Sequence, residues 1–224
     1  MVRKSIKRNE QTSDISLLDG SNSVSNKEDV SNTRETGKIK VQAGFDISTS
    51  AIGICILEES TGKLIHLDNV KMTSTKLTDE YDKSDFFEKE LLSWWKDEWV
   101  PSKIYIEKAA MMFTPGMSSA QTIMTLGRFN GIISNILYKK FGIKPTMLGV
   151  TSARSKLGIK IDRKDKSKTT KDKVFEIVKT MHPEFPWITH IAKNGKFKDQ
   201  LVYDKENYDM CDAFVIVAGG RLLA

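Results

Sequence analysis

From Lys38 the chain alternates: Ile39, Val41, Ala43 and Phe45 fall on one side, Lys40, Gln42, Gly44 and Asp46 on the other. This is the period of a strand, and it ends at Asp46. A second strand is predicted over 51–58, after the small-residue turn Ser48-Thr49-Ser50, and a third over 64–70, after Ser60-Thr61-Gly62-Lys63. Three strands with short connections make an antiparallel meander. The period then lengthens: across 79–99, Phe87, Leu91, Trp94 and Trp95 share one face of an acidic helix, which Pro101 stops. Residues 103–107 follow as a strand, 118–141 as a long helix closed by Gly142, and 144–150 as a fifth strand. Helices over 171–181 and 208–223 complete the pattern. A meander followed by alternating helices and strands predicts an α/β fold with a mixed five-stranded sheet flanked by helices on both faces. A parallel-only dinucleotide-binding sheet fits poorly, since no G-x-G-x-x-G follows the first strand.

Ahead of this pattern, residues 1–37 are rich in Ser, Asn, Thr and charge and hold no aromatic residue. Such a segment cannot offset its ordering entropy by burial, so a disordered polar tail over 1–37 is expected, with a single domain over 38–224. At 224 residues and 39% hydrophobic, the chain suits one core. No apolar run nears the ~20 residues of a membrane span, and none follows the basic N-terminus as a secretory signal would require. Cys55 and Cys211 lie in apolar stretches, and the three histidines lack zinc-ligand spacing. A reducing, cytoplasmic compartment is expected, with neither disulfide scaffold nor structural zinc.

The net charge of +6 is concentrated in one segment. Residues 154–173 carry nine basic side chains against three acidic ones, which accounts for the whole excess. Such a patch, holding Lys156, Arg163, Lys164, Lys166, Lys168, Lys171 and Lys173, suits a phosphate backbone; a solvated loop beside a helix is the plainer alternative.

Four carboxylates stand where packing alone would not put them. Asp46 and Glu107 end strands, while Asp209 and Asp212, three residues apart on one helical face, open an apolar helix. Each has an ordinary role available: a turn residue, a partner for Lys108, a first-turn acid favoured by the helix dipole. Gathered at one sheet edge they would repel unless divalent cations bound them, and oxygen-only ligands suit Mg²⁺ or Mn²⁺. Two such ions per site can activate a water and stabilise the leaving oxygen of a phosphodiester.

These residues also carry a family resemblance. Ala43-Gly44-Phe45-Asp46-Ile47-Ser48, running into Ile52-Gly53-Ile54-Cys55-Ile56, resembles the first-strand motif of RuvC-type Holliday junction resolvases. Ile104-Tyr105-Ile106-Glu107 is similar to their second acidic motif, Leu126-Gly127-Arg128-Phe129-Asn130-Gly131 to the glycine-spaced helix that follows, and Asp209-Met210-Cys211-Asp212-Ala213 to their closing aspartates. The match runs in order over roughly residues 39–220. It implies an RNase H-like fold, a homodimer, and metal-dependent cleavage of four-way DNA junctions by paired nicks, with Asp46, Glu107, Asp209 and Asp212 as metal ligands. It also implies a lysine near the scissile phosphate, matched by Lys171, and an earlier one, matched by Lys156. Phe113 is matched to an aromatic residue that wedges into the junction. Ile47-Ser48 after the first acid, where bacterial members usually carry proline and glycine, points to a phage or viral branch.

The acids define the chemistry rather than the substrate, so a nuclease acting on another branched DNA or on RNA–DNA hybrids remains open, as does a non-catalytic junction-binding module. Paired nicks need two active sites. The helix over 118–141, with Gly127 and Gly131 allowing close approach, is the expected dimer interface. Trp94, Trp95 and Trp99 are expected in the core rather than as base-stacking platforms, and Cys211, turned away from its flanking acids, as a small core residue.

Overall fold

A computed structural model describes residues 37–108, 119–162, 164–165 and 167–223. All but the last residue of the expected 1–37 tail, and the candidates Phe113, Arg163 and Lys166, lie outside the described residues. The predicted meander forms as β1 (Ile39–Ile47), β2 (Ala51–Glu58) and β3 (Leu64–Lys71). Ser48 shapes the first turn, its hydroxyl donating to the Ala51 carbonyl at 2.8 Å and accepting from the Ala51 N–H at 3.0 Å. Beyond the meander, β4 (Trp99–Glu107) runs parallel to β1, and β5 (Thr146–Leu148) runs parallel to β4. The sheet order is β3-β2-β1-β4-β5, the mixed five-stranded arrangement expected from the pattern.

Helices cover both faces. Against one lie α1 (Glu80–Trp94) and α2 (Ala120–Phe141), whose Phe87, Leu91, Phe129, Ile133 and Leu137 bury Val41, Ala43, Phe45 and Ile47. Against the other lie α3 (Val150–Lys156), α4 (Thr170–Met181) and α5 (Glu206–Arg221). Helix α5 is buried on nearly every side, since α3 and α4 pack over it and the sheet lies beneath. Its approach to the sheet depends on two missing side chains. A Cβ at Gly44 would stand 2.5 Å from the Ala213 carbonyl oxygen, and one at Gly53 would stand 2.0 Å from that of Asp209. Both distances are far inside van der Waals contact, so only bare backbone fits under α5.

The boundaries differ from the predicted ones in instructive places. Helix α1 stops at Trp94 rather than Trp99, because Trp95 is already extended and a turn at 96–98 delivers Trp99 to the sheet, where it pairs with Ile39. Pro101 therefore sits inside β4. It is tolerated there because β5 pairs only with Tyr105–Glu107 and the β1 register shifts beside it. The predicted fifth strand is cut to three residues: Gly149 caps a seven-residue helix, α3, that has no counterpart in the predicted pattern. Also beyond that pattern is a small antiparallel hairpin, β6 (Thr189–Ile191) and β7 (Leu201–Tyr203). The tryptophans pack as expected, Trp94 stacked on His66, Trp95 against Phe141, and Trp99 buried. No helix among the described residues is long and apolar enough to cross a membrane.

Candidate active site

Strand register assembles the site. Asp46 pairs across the ladder with Gly53, and Gly53 with Asn69, which sets three residues of β1, β2 and β3 in one row. On the other side of β1, Phe45 pairs with Ile106, so one step further along both parallel strands brings Asp46 beside Glu107. Helix α5 crosses above this row with the Asp209 backbone directly over Gly53. Asp212, one turn on, is buried. Asp46, Glu107, Asp209 and Asp212 thus lie near enough to interact, at the end of the sheet where β1 and β4 stop.

Side chains that the sequence did not single out fix their positions. Asn69, buried on β3, donates to the Asp209 carboxylate at 3.2 Å and leaves its own carbonyl oxygen without a partner among the described residues. Asn130, buried on α2, donates to the Glu107 backbone carbonyl at 3.3 Å and so holds the end of β4. Arg154, the fifth residue of α3, donates from Nη2 to Asp212 at 2.9 Å. Lys171, in the first turn of α4, sits 3.2 Å from Asp209 and 3.8 Å from Asp212. The start of α4 is held there by a capping box between Thr169 and Asp172 and by the Tyr208 hydroxyl of α5, which donates to Asp172.

Burial raises the Asp46 carboxyl well above the ordinary carboxylate range, and the charges of Glu107, Asp212 and Asp209 push it the same way. Glu107 is raised in the same way, chiefly by burial and further by the charge of Asp212. Asp212 is raised by burial in spite of Arg154 and Lys171. For Lys171, burial works to lower the pKa, but Asp209 and Asp212 outweigh it and hold the ammonium charged. The cluster is therefore short of positive charge.

Whether a divalent cation fits can be judged from the donors. Among the described residues, no three His, Cys, Asp or Glu side chains converge tightly enough to hold a metal ion as they stand. Arg154 and Lys171 draw Asp212 and Asp209 toward themselves, away from Asp46 and Glu107. The donor chemistry nevertheless fits: four hard carboxylates on element ends repel one another, and a hard cation bound among them would relieve that repulsion.

The other candidates divide. Lys156 is exposed at the end of α3, and the cation that α3 sends to the acids is Arg154, two residues earlier. Lys173 is nearly buried and works inward, pairing with Asp165 at 2.8 Å and donating to the Asp162 carbonyl, which closes the basic loop onto α4. Lys168 pairs with Glu176, and Lys164 is exposed. Cys211 faces the core, where burial raises its thiol far above the ordinary range, as for Cys55 nearby. Arg154→Ala should lower unfolding stability by about 2 kcal/mol, because it strands a buried carboxylate, while Lys156→Ala should change it by less than about 0.5 kcal/mol. Denaturant melts of the two variants test this contrast, and equal losses would contradict the assignment.

No protein-family model matches the chain, and neither does any curated protein. Solved structures do. Thermus thermophilus RuvC in complex with a Holliday junction substrate superposes with a TM-score of 0.52 at 13% identity, covering 82% of this chain and 93% of that one. The same organism's RuvC in a second structure gives 0.51 at 16% identity, over 81% and 93%. The yeast mitochondrial Holliday junction resolvase Ydc2 gives 0.50 at 14% identity, over 83% and 79%. At these identities the likeness is one of fold, and the fold is RNase H-like.

Proposed function

We propose that this protein is a metal-dependent endonuclease that resolves four-way DNA junctions by symmetric paired nicks. One observation carries the reading: four carboxylates from β1, β4 and α5 gather at one end of an RNase H-like sheet, with the Lys171 ammonium among them. Asp46, Glu107, Asp209 and Asp212 would hold two Mg²⁺ ions, with Mn²⁺ as a substitute, and these supply an activated water and charge stabilisation at the leaving oxygen. Asn69, Asn130 and Arg154 orient the ligands through Asp209, Glu107 and Asp212 respectively. Lys171 turns from its carboxylates toward the scissile phosphate once DNA arrives. The exposed Lys156, Lys164 and Lys168, together with Arg163 and Lys166, track the flanking backbone. Phe113 is the proposed junction wedge.

Two nicks at symmetry-related positions require two copies of the site. The exposed face of α2 suits the contact between copies, since added Cβ atoms at Gly127 and Gly131 would meet nothing within 4 Å and Met124 is exposed beside them. The test is cleavage of a synthetic four-way junction against a linear duplex and an RNA–DNA hybrid in Mg²⁺, with light scattering on the same sample. Paired nicks confined to the junction, from a particle near twice 25.3 kDa, are expected. Preferential cutting of the hybrid, or no cutting in Mg²⁺ or Mn²⁺, would overturn the reading.

A further inference from the structure

The β6–β7 hairpin contributes almost nothing to the core, yet it is firmly held. Its strands are three residues each, and five of the six residues are exposed. At its base, fully buried Asn207 accepts from the Ile188 N–H at 3.0 Å and donates to the Ile188 carbonyl at 2.8 Å, and His190 pairs with Asp204 at 3.2 Å. Tyr203 packs on Phe175 of α4, with the Lys179 ammonium 4.5 Å over its ring. The loop between the strands is ordered by backbone hydrogen bonds from Ala192 to Gln200, Asp199 to Ala192 and Lys198 to Gly195. A rigid projection of this kind is costly to maintain with apolar side chains in water unless something covers them.

Its chemistry indicates what does. Phe197 at the tip is 53% exposed and sits between Lys196 and Lys198, with Lys193 close by; Leu201 is 67% exposed. An exposed ring flanked by ammonium groups matches nucleic acid, whose phosphates take the lysines and whose sugars and base edges take the apolar surface. A two-stranded ribbon also has the width of a DNA groove. The chain leads from the hairpin to the site already described: Lys205, just past β7, shares the wall of a cavity of about 810 Å³ with Lys171 and Asp209. We infer that the β6–β7 hairpin is a second DNA-binding element, a ribbon that grips the duplex arm flanking the cut, with Phe197, Lys196 and Lys198 as its contact residues. This rests on the nuclease reading above and extends it to a surface remote from the acids.

The test compares the wild-type protein with the triple variant Lys196→Gln, Phe197→Ala, Lys198→Gln, all in an exposed loop, on a junction with long arms and with metal chelated. The variant should bind about tenfold more weakly, and its slope of log affinity against log salt should fall by about two, one per lysine. A benzophenone carried on Phe197→Cys, selectively labelled because Cys55 and Cys211 are buried, should cross-link to an arm. Unchanged affinity with no DNA cross-link overturns the inference, and a cross-link to a second copy of the chain assigns the hairpin to self-association instead. If the wild-type protein binds and cuts junctions while the triple variant binds equally well, only the hairpin's role falls. If the wild-type protein binds no DNA, the nuclease reading falls with it.

Discussion

Asp46→Asn is expected to lower junction cleavage by about three orders of magnitude or more, the several kcal/mol that a lost metal ligand removes from transition-state stabilisation. DNA binding should persist or tighten, since one negative charge leaves the neighbourhood of the phosphate. The same substitution should raise the melting temperature in chelator at neutral pH. Burial, together with the like charges of Glu107, Asp212 and Asp209, raises the Asp46 carboxyl in the folded state. A raised carboxyl contributes stability that is fully present below the ordinary carboxylate range and is lost as pH rises through the raised value. The wild-type protein without metal should therefore lose stability as pH climbs through that window, and the asparagine variant should lose less. Activity retained at normal Mg²⁺ would remove Asp46 from the chemistry, and a lower melting temperature in chelator would contradict the electrostatic account.

Gly53→Ala should damage the protein at a residue that carries no functional group of its own. Its Cβ would lie 2.0 Å from the Asp209 carbonyl oxygen and 2.4 Å from the carbonyl carbon, both backbone atoms of a helix that α3 and α4 pin from above. Relief can come only from lifting the start of α5. Overpacking of this severity costs about 3 kcal/mol, at the upper end of its usual range. Lifting α5 also moves Asp209 away from Asp46, and a displacement near 1 Å should lower turnover about a hundredfold in whatever fraction stays folded. Denaturant unfolding and single-turnover cleavage measure the two effects separately; a variant as stable and as fast as wild type would show that α5 is not seated on Gly53.

The meander and the acids were legible because their signals are local. Asp46 closes an alternation, Glu107 closes an apolar run, and Asp209 and Asp212 interrupt an otherwise apolar helix. Arg154 was hidden because a seven-residue helix of small and polar residues presents no hydrophobic period, and only the close packing of α3 on α5, with Gly219 against Ala153, aims that guanidinium at Asp212. Lys156, two residues on, is turned by the helix to a different side from Arg154 and is exposed. Asn69 resembles any polar residue of an edge strand until the register sets it opposite Gly53. Pro101 misled for a physical reason as well: a proline is a strong break in a helix but acceptable in a strand whose outer side is unpaired.

The register row from Asn69 through Gly53 to Asp46 also bears on the order in which the molecule comes together. Asp46 and Gly53 are seven residues apart, so their half of the site closes with a tight hairpin at little loop-closure cost. Asp209 reaches the same place only after more than a hundred and fifty intervening residues have been ordered, which makes it one of the slowest contacts to form. If the like charges are brought face to face after the folding barrier, they leave the folding rate unchanged, which a comparison of Asp46→Asn with wild-type refolding in chelator measures. Repulsion in the finished cluster would then speed unfolding more than it slows folding, and a cation held among the acids would act as a brake on unfolding.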